Sequence, residues 1–411
     1  MYQENFLPVN RLFPFEDVPR DKNIVLWGAG SVGKQYFSQL NRIKWAKSIL
    51  WVDKNWEKYL SIYGEKCIIH SPDSIKDYDC DYVVIAVASY LSAAEIRNEI
   101  NEKGISDDKI VWYPSQPPIL LTDDKYVNRL KVPAMQELEL VGKLQVGKGK
   151  INDWYDKISN QDNFVIPRLV VVLTTRCSLR CNGCNNLMPL VKKHIDFPYE
   201  KVLAWIQKIL DMSDGIVSLE LLGGEPFLYK DLNKVLEVLL KENKIFRVEI
   251  TTNGTVIPKD ETFSLLSSPK CFVSVSKYPG INSNEKFIEK LKEYNIVHLV
   301  MDDMVWIDPG EPVSHEKTAS KLNRDYEKCG ASYTCKTLLG GKIYPCARGA
   351  SLFHLGYIKE NEDEYVEIEE NCNFRQKLKE FFLKENSIVC DYCTITDRWR
   401  RIKAGDQCKA I

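Results

Sequence analysis

Three cysteines lie within eight residues near the middle of the chain. Cys177, Cys181 and Cys184 have the spacing C-x3-C-x2-C and directly follow a predicted strand, Arg168–Thr174. Three thiolates this close together can bind three irons of a [4Fe–4S] cubane, which usually has four cysteine ligands. The remaining iron then keeps an open position, as in metal sites that perform chemistry. A structural zinc site is the alternative interpretation.

Further polar and glycine residues stand at the ends of the next predicted strands. A Gly-Gly-Glu-Pro turn comes about forty residues after the cysteines, and Thr251–Gly254 follows the next strand. Glycine and proline at a strand end usually only make a turn. In a barrel of parallel strands, however, chemistry belongs at the carboxyl ends of the strands. The candidate residues at these ends are Gly223, Gly224, Glu225, Pro226, Thr252, Asn253 and Ser276.

These motifs together resemble the radical S-adenosylmethionine (SAM) superfamily over roughly residues 166–305. The resemblance implies that the cysteine triad is catalytic and holds a [4Fe–4S] cluster. It implies that the Gly-Gly-Glu-Pro backbone and Glu225 hold the methionyl amino group of SAM, and that the Thr251–Gly254 segment and Ser276 contact its ribose. Gly183 stands where the family usually has an aromatic residue that packs on adenine. The implied chemistry is one-electron cleavage of SAM to a 5′-deoxyadenosyl radical, which removes hydrogen from an unactivated C–H bond.

Seven of the thirteen cysteines lie after residue 328. Their pattern resembles the opening of the auxiliary-cluster domains called SPASM and Twitch, and no cysteine occurs between Cys393 and Cys408. The resemblance therefore implies one auxiliary [4Fe–4S] cluster, the Twitch arrangement. Cys346, Cys390 and Cys393 are the favoured ligands, joined by Cys329, Cys335 or both.

Two alternatives accompany this cysteine-rich segment. Four thiolates can also hold a structural zinc ion. A thiol left over near the radical could donate a hydrogen atom, as the resemblance to some radical SAM epimerases implies. Arg348, two residues after Cys346, is a candidate for binding an anionic substrate.

A glycine-rich loop marks the amino-terminal region. Gly28, Gly30 and Gly33 follow a predicted strand and open a helix, and Asp53 ends the next strand. This pattern is the dinucleotide fingerprint, in which pyrophosphate meets the helix amino terminus and the carboxylate meets a ribose hydroxyl. The region resembles the Rossmann-like domains of bacterial sugar and capsule enzymes, so NAD or a nucleotide sugar is the expected ligand. A scaffold or partner surface is the alternative.

The alternation of strands and helices predicts an α/β protein. We expect a Rossmann-like, doubly wound sheet over residues 1–120 and linker or packing helices over 121–165. We expect a partial (β/α)6 TIM-like barrel over 166–310 and a small cysteine-rich auxiliary domain over 311–411.

Charge and hydrophobic pattern exclude several classes of partner. The 56 basic and 57 acidic residues give a net charge of −1, so we expect neither nucleic acid nor an anionic membrane as partner. The first twenty residues lack a secretory signal, and the apolar runs are shorter than the roughly 18 residues that span a bilayer. A cytoplasmic protein is expected, in which clustered thiols bind metal rather than form disulfides.

The leading functional hypothesis is a radical SAM enzyme that epimerises or oxidises a sugar, with a nucleotide-linked small molecule as substrate. Flavodoxin or ferredoxin is the expected type of electron donor. The alternative is a peptide or protein maturase, of the kind that modifies ribosomal peptides or sulfatases. A non-enzymatic NAD-sensing or scaffold protein is disfavoured, because the cysteine triad and the Gly-Gly-Glu-Pro turn are both intact.

Overall fold

The chain forms two compact units, Met1–Ile119 and Leu120–Ile411, which we call unit 1 and unit 2. The computed structural model describes residues 13–15, 17–88, 90–112, 127–144, 148–278, 280–281, 284–302, 305–359, 361–368, 373–397 and 399–408.

Unit 1 contains a parallel sheet whose described strands have the order β3-β2-β1-β4-β5. Its strands are β1 (Asn23–Trp27), β2 (Ser48–Val52), β3 (Ile69–His70), β4 (Tyr82–Ile85) and β5 (Ile110–Trp112). Its helices are α1 (Ser31–Ile43), α2 (Trp56–Tyr63) and α3 (Tyr90–Glu102), with 3-10 turns at Gly64–Lys66, Pro72–Asp77 and Asp107–Lys109. The central strand β1 is an uninterrupted apolar run, as expected for a parallel strand covered on both faces.

Unit 2 is built on a larger sheet whose described strands have the order β10-β9-β8-β7-β6-β12-β13-β14. Its strands are β6 (Val165–Val172), β7 (Gly215–Leu222), β8 (Ile245–Thr252), β9 (Cys271–Ser276), β10 (His298–Met301), β11 (Val305–Ile307), β12 (Cys335–Leu339), β13 (Lys342–Tyr344), β14 (Val366–Glu367) and β15 (Arg401–Lys403). Strands β6 to β10 are parallel, and β11 pairs with β15 in a separate antiparallel ribbon.

Ten helices of unit 2 fall within the described residues. They are α4 (Val132–Leu144), α5 (Lys148–Ser159), α6 (Tyr199–Met212), α7 (Leu232–Leu239), α8 (Asp260–Leu266), α9 (Asn284–Glu293), α10 (Ala319–Lys328), α11 (Gly330–Thr334), α12 (Ala347–His354) and α13 (Phe374–Phe382). Shorter turns occur at Val127–Lys131 (π), Met188–Leu190, Pro226–Leu228, Glu362–Glu364 and Ile388–Tyr392 (3-10). Within the described ranges, no helix combines the length and apolar character that crossing a bilayer requires.

The cysteine-rich region is joined to the large sheet of unit 2. Strand β12 runs parallel to β6, with Cys335 opposite Arg168, and β13 and β14 continue the sheet. Residues 311–411 are expected to form a domain of their own, whereas they belong to the same compact unit as strands β6 to β10. The reason is that β6 would otherwise be an edge strand with unpaired backbone groups.

Alternation along the strands separates an apolar face from a polar one. On β6, Leu169 and Val171 pack into the core beneath the helices, and Arg168 points to the opposite face because successive side chains alternate. There the Arg168 guanidinium contacts the carboxylates of Glu137, Glu220 and Glu249 at 3.0, 2.8 and 3.0 Å. Glu137 belongs to α4, so this buried ionic network ties the helix to the sheet.

We expect Arg168→Ala to lower the free energy of unfolding by about 3–5 kcal/mol, because the buried carboxylate of Glu220 loses its cation, while Arg247 still pairs with Glu249 at 2.7 Å. Chemical denaturation measures the change. Lys290→Ala is the control, because it removes an exposed pair with Glu293. Equal effects of the two substitutions would contradict the importance of the buried network.

Candidate functional site

A cavity of about 390 Å³ lies at the carboxyl ends of β7, β8 and β9. It brings together residues that are more than ninety positions apart in the sequence. The predicted site residues that line it are Cys177, Cys181, Cys184, Gly223, Gly224, Thr252, Asn253 and Ser276. Apolar side chains of Leu222, Trp306 and Ile307 form other parts of the wall.

The three thiols of the cavity are shielded from water. Burial raises the pKa of Cys177 to about 12 and that of Cys181 to about 11, and it also raises the pKa of Cys184. A thiol must lose its proton to ligate a metal, so a bound cation has to offset this cost. Three cysteines that line one cavity are a donor set that fits a cluster with three thiolate ligands.

The backbone of the Gly-Gly-Glu-Pro turn is hydrogen-bonded to the backbone of the cysteine loop. Gly224 N donates to Thr174 O at 2.9 Å, and Glu225 N donates to Arg176 O at 2.7 Å. A Cβ atom on Gly224 would lie 2.1 Å from Arg176 O, and one on Gly223 would lie 2.4 Å from Thr174 O. Glycine is required at both positions because the two loops approach this closely.

The Glu225 side chain, which is expected to hold SAM, lies behind the lining of the cavity. Glu225 is fully buried, and neither it nor Pro226 lines the cavity. Its carboxylate accepts hydrogen bonds from Thr252 Oγ1 at 2.8 Å, Asn253 N at 2.9 Å and Phe227 N at 3.2 Å. The side chain thus joins the Gly-Gly-Glu-Pro turn to the segment after β8, while the backbone of the turn faces the cavity.

A C-terminal segment that sequence reasoning missed covers the cysteine loop. We call residues 401–408 the C-terminal strap. Its Gln407 donates from Nε2 to Cys181 Sγ at 3.3 Å and accepts from Arg180 N at 2.8 Å. A Cβ atom on Gly183 would lie 2.0 Å from Ile402 Cδ1. Ile402 therefore occupies the space beside Gly183, and glycine at the family's aromatic position was the sequence signal for this cover.

Four of the five predicted auxiliary ligands lie near one another. Burial raises the pKa of Cys346 to about 12 and also raises those of Cys329, Cys390 and Cys393. Electrostatic repulsion within the group adds to the rise for Cys329, Cys346 and Cys390. Among the described residues, no three His, Cys, Asp or Glu side chains come close enough together to hold a single metal ion.

The loop that carries two of these cysteines is fixed by one buried lysine. Lys317 Nζ donates to Cys390 O and Cys393 O, both at 2.6 Å, and pairs with Asp325 at 2.8 Å. Asp391, between the two cysteines, accepts from Lys317 N at 2.7 Å. Because these bonds use the backbone groups of Cys390 and Cys393, the thiols of the two residues remain available as metal ligands.

Cys335, the fifth predicted ligand, has a different environment. It is paired with Arg168 across β6 and β12. Burial raises its pKa to about 11, and the charged groups that act on it most are Arg168, Glu220 and Glu137. Cys335 lies beside the buried ionic network and does not line the cavity. This placement favours Cys329 over Cys335 as the fourth member of the auxiliary group.

Arg348 lies between the two cysteine groups, and its placement differs from the expected contact with substrate. Its side chain is 1% exposed and does not line the cavity. Nε donates to Tyr392 O at 2.9 Å and Nη2 to Gly310 O at 2.7 Å, while Nη1 has no partner among the described residues. Its charge lowers the pKa of Cys393 and of Cys184, which partly offsets the effect of burial.

In unit 1, the three glycines of the loop have different surroundings. Gly28 has φ +117°, and a Cβ atom there would lie 2.9 Å from Ala86 O. A Cβ atom on Gly33 would lie 1.9 Å from Gly28 O, so this glycine permits close packing of α1 on the loop. A Cβ atom on Gly30 would meet nothing within 4 Å, which leaves open space at the start of α1.

Asp53, the predicted ribose ligand, forms hydrogen bonds with backbone groups of the protein. It is 9% exposed, and its Oδ2 accepts from Ala29 N at 2.6 Å. Its Oδ1 accepts from Asn55 N at 2.8 Å. The carboxylate therefore holds the glycine loop and its own turn, a role that the fingerprint alone does not indicate.

Glu225 makes stability depend on pH. Burial raises its pKa from 4.5 to about 7, so the folded state binds more protons than the unfolded state between these values. The stabilisation of the folded state by this proton is fully present below pH 4.5. It is lost as the pH rises through about 7, which lowers the free energy of unfolding by about 3 kcal/mol. We expect unfolding measured against pH, without cluster or SAM, to show this loss in the wild type and not in Glu225→Gln.

The exposed Glu200→Gln is the control for loss of one carboxylate. If the wild type and Glu225→Gln lost stability in parallel over this pH range, the perturbed titration would be refuted.

Gly183→Phe should lower the thermal unfolding midpoint, because the side chain would overlap Ile402 and because φ is +66°. Overpacking costs about 1–3 kcal/mol, and the left-handed conformation costs about 1–2 kcal/mol. Adding Ile402→Ala should recover the overpacking part alone. A double variant no more stable than Gly183→Phe would show that Ile402 does not fill this space.

Two family models match the chain. The model described as Radical SAM superfamily matches residues 171–302, and the model described as C2185-like, N-terminal, matches residues 20–111. The first range contains the cysteine triad and the strands β7 to β10 around the cavity.

Curated relatives include two proteins named GTP 3′,8-cyclase. The one from Thermodesulfovibrio yellowstonii is 33% identical over 107 residues, which are 24% of this chain and 32% of the relative. The one from Aquifex aeolicus is 33% identical over 93 residues, which are 22% of this chain and 28% of the relative. The chain therefore matches about a third of the length of these relatives.

Similar solved structures include native anSMEcpe with bound AdoMet, at 17% identity and a TM-score of 0.39, covering 55% of this chain and 82% of that chain. BtrN in complex with AdoMet and 2-DOIA is 16% identical with a TM-score of 0.37, covering 56% of this chain and 94% of that chain. On the match of the family model, residues 171–302 form a radical SAM superfamily domain.

Proposed function

We propose that this protein is a radical SAM enzyme that epimerises or oxidises a carbon of a nucleotide-linked sugar. The observation that carries the radical SAM part is the single cavity shared by the cysteine triad and the residues expected to hold SAM. When bound and reduced, a [4Fe–4S] cluster on Cys177, Cys181 and Cys184 would supply the electron that cleaves SAM. An electron donor such as flavodoxin or ferredoxin belongs to this proposal.

The residues of the cavity have distinct tasks in this proposal. Gly223 and Gly224 bring the turn close enough for its backbone to face the methionyl end of SAM. Asn253 donates from Nδ2 to Ser178 Oγ at 3.0 Å and lies 3.7 Å from Cys177 Sγ, so it orients the cysteine loop. The apolar wall, including Trp306, keeps water away from a reactive intermediate.

The glycine loop of unit 1 supports a nucleotide-linked substrate. Open space at Gly30 and the amino terminus of α1 suit a pyrophosphate group. The relatives named GTP 3′,8-cyclase are, by that name, proteins that act on a nucleotide. We propose that unit 1 is a Rossmann-like domain that binds the nucleotide part of the substrate, or NAD.

A peptide or protein maturase is the second candidate. The four grouped thiols of Cys329, Cys346, Cys390 and Cys393 favour it, because the auxiliary-cluster domains that they resemble are frequent in maturases. We propose that these thiols hold one auxiliary [4Fe–4S] cluster in either case.

Anaerobic reconstitution followed by iron analysis and a 5′-deoxyadenosine assay tests the function. Two clusters require about eight irons per chain, and we expect nucleotide sugars to stimulate 5′-deoxyadenosine release. Stimulation by peptides alone would replace the sugar hypothesis with the maturase one. The triple variant Cys177→Ala, Cys181→Ala, Cys184→Ala should release no 5′-deoxyadenosine with any substrate.

Gly30→Val tests the nucleotide site separately. Its side chain extends into open space and should leave unit 1 folded. In the same assay, we expect it to reduce stimulation by nucleotide sugars while the slow release of 5′-deoxyadenosine without substrate stays unchanged. Full stimulation in this variant would exclude the glycine loop from substrate binding.

A further inference from the structure

Arg348 is a buried cation whose hydrogen bonds are incomplete. A guanidinium has five N–H donors in a fixed planar arrangement. Nε and Nη2 of Arg348 donate to backbone carbonyls, whereas Nη1 is buried without a partner among the described residues. Leaving a charged donor unsatisfied costs more than leaving a neutral one, so this atom requires an acceptor other than the surrounding protein.

The position of Arg348 indicates where that acceptor lies. Arg348 follows Cys346 by two residues in the first turn of α12, whose start is capped by the Cys346 thiol. The carbonyl that Nε contacts belongs to Tyr392, between Cys390 and Cys393. Arg348 is therefore tied to the segments that carry three of the four auxiliary thiols, by its own position after Cys346 and by its contact with Tyr392.

The other side of Arg348 leads toward the SAM cavity. Nη2 contacts the carbonyl of Gly310, and the neighbouring Pro309 and Ile307 line that cavity. Arg348 is thus a single buried charge that is shared by both cysteine groups.

We infer that Arg348 sets the reduction potentials of both clusters, with Nη1 donating a hydrogen bond to a sulfur of the auxiliary cluster. This inference rests on the proposed function, because it requires that both clusters exist. Reduction adds one negative charge to a cluster, and a nearby buried cation stabilises that charge. Hydrogen bonds to cluster sulfurs and the local net charge are known determinants of such potentials. Arg348 acts here as a positioning residue that makes both clusters easier to reduce.

Redox titration followed by electron paramagnetic resonance tests the effect of the charge. We expect Arg348→Gln to shift both midpoints to more negative values, with at least a tenfold lower ratio of reduced to oxidised cluster at fixed potential, or 59 mV for one electron. Arg348→Lys keeps the charge and should retain most of the wild-type potentials. If both variants kept the wild-type midpoints and only lowered the unfolding temperature, Arg348 would be merely structural.

The hydrogen bond can be tested without changing Arg348. In the variant lacking Cys177, Cys181 and Cys184, only the auxiliary cluster remains, and labelling arginine with ¹⁵N should produce a ¹⁵N hyperfine coupling in its reduced state. Absence of this coupling, with the cluster signal present, would overturn the hydrogen bond. Iron content and the cluster signal are measured in the same samples, so a missing cluster refutes the proposed function instead.

Discussion

Seven cysteine thiols of unit 2 lie in two shielded groups, where an ionised thiol is poorly solvated. Burial raises the pKa values in both groups, for example to about 12 for Cys177 and Cys346. Such thiols can serve as metal ligands only if a cation replaces their protons. Most other features of unit 2 can be understood as ways to hold these thiols in place, close them off from water and balance the charge that they would carry.

Backbone contacts hold the first group more than side-chain contacts do. The cysteine loop receives hydrogen bonds from the Gly-Gly-Glu-Pro turn and from the C-terminal strap. Gly223 and Gly224 are needed because the backbones of the two loops are in contact. The Glu225 carboxylate accepts hydrogen bonds from Thr252 and Asn253 on the segment after β8. A carboxylate at this position therefore organises the cavity wall.

The second group depends on pairing between segments that are far apart in the chain. Strand β12 pairs with β6 across more than 160 residues, which joins the chain after Cys335 to the large sheet of unit 2. Sequence patterns predicted β6 to within a few residues, because it has its own apolar run. They did not predict where β12 pairs, since strand partners are set by which edge is free rather than by local composition. For the same reason, the distinction between Cys329 and Cys335 was left open.

The sequence by itself determined which residues could carry chemistry at the candidate site. Local spacing specifies the cysteine triad, and turn chemistry specifies the glycines at the strand ends. Only the tertiary structure decided how distant residues share one environment. It placed Ile402 beside Gly183, turned Glu225 away from the cavity and buried Arg348 between the two cysteine groups. The burial of a side chain and the charges around it depend on every segment that packs against it. A sequence pattern shows only the residues that are close to that side chain along the chain.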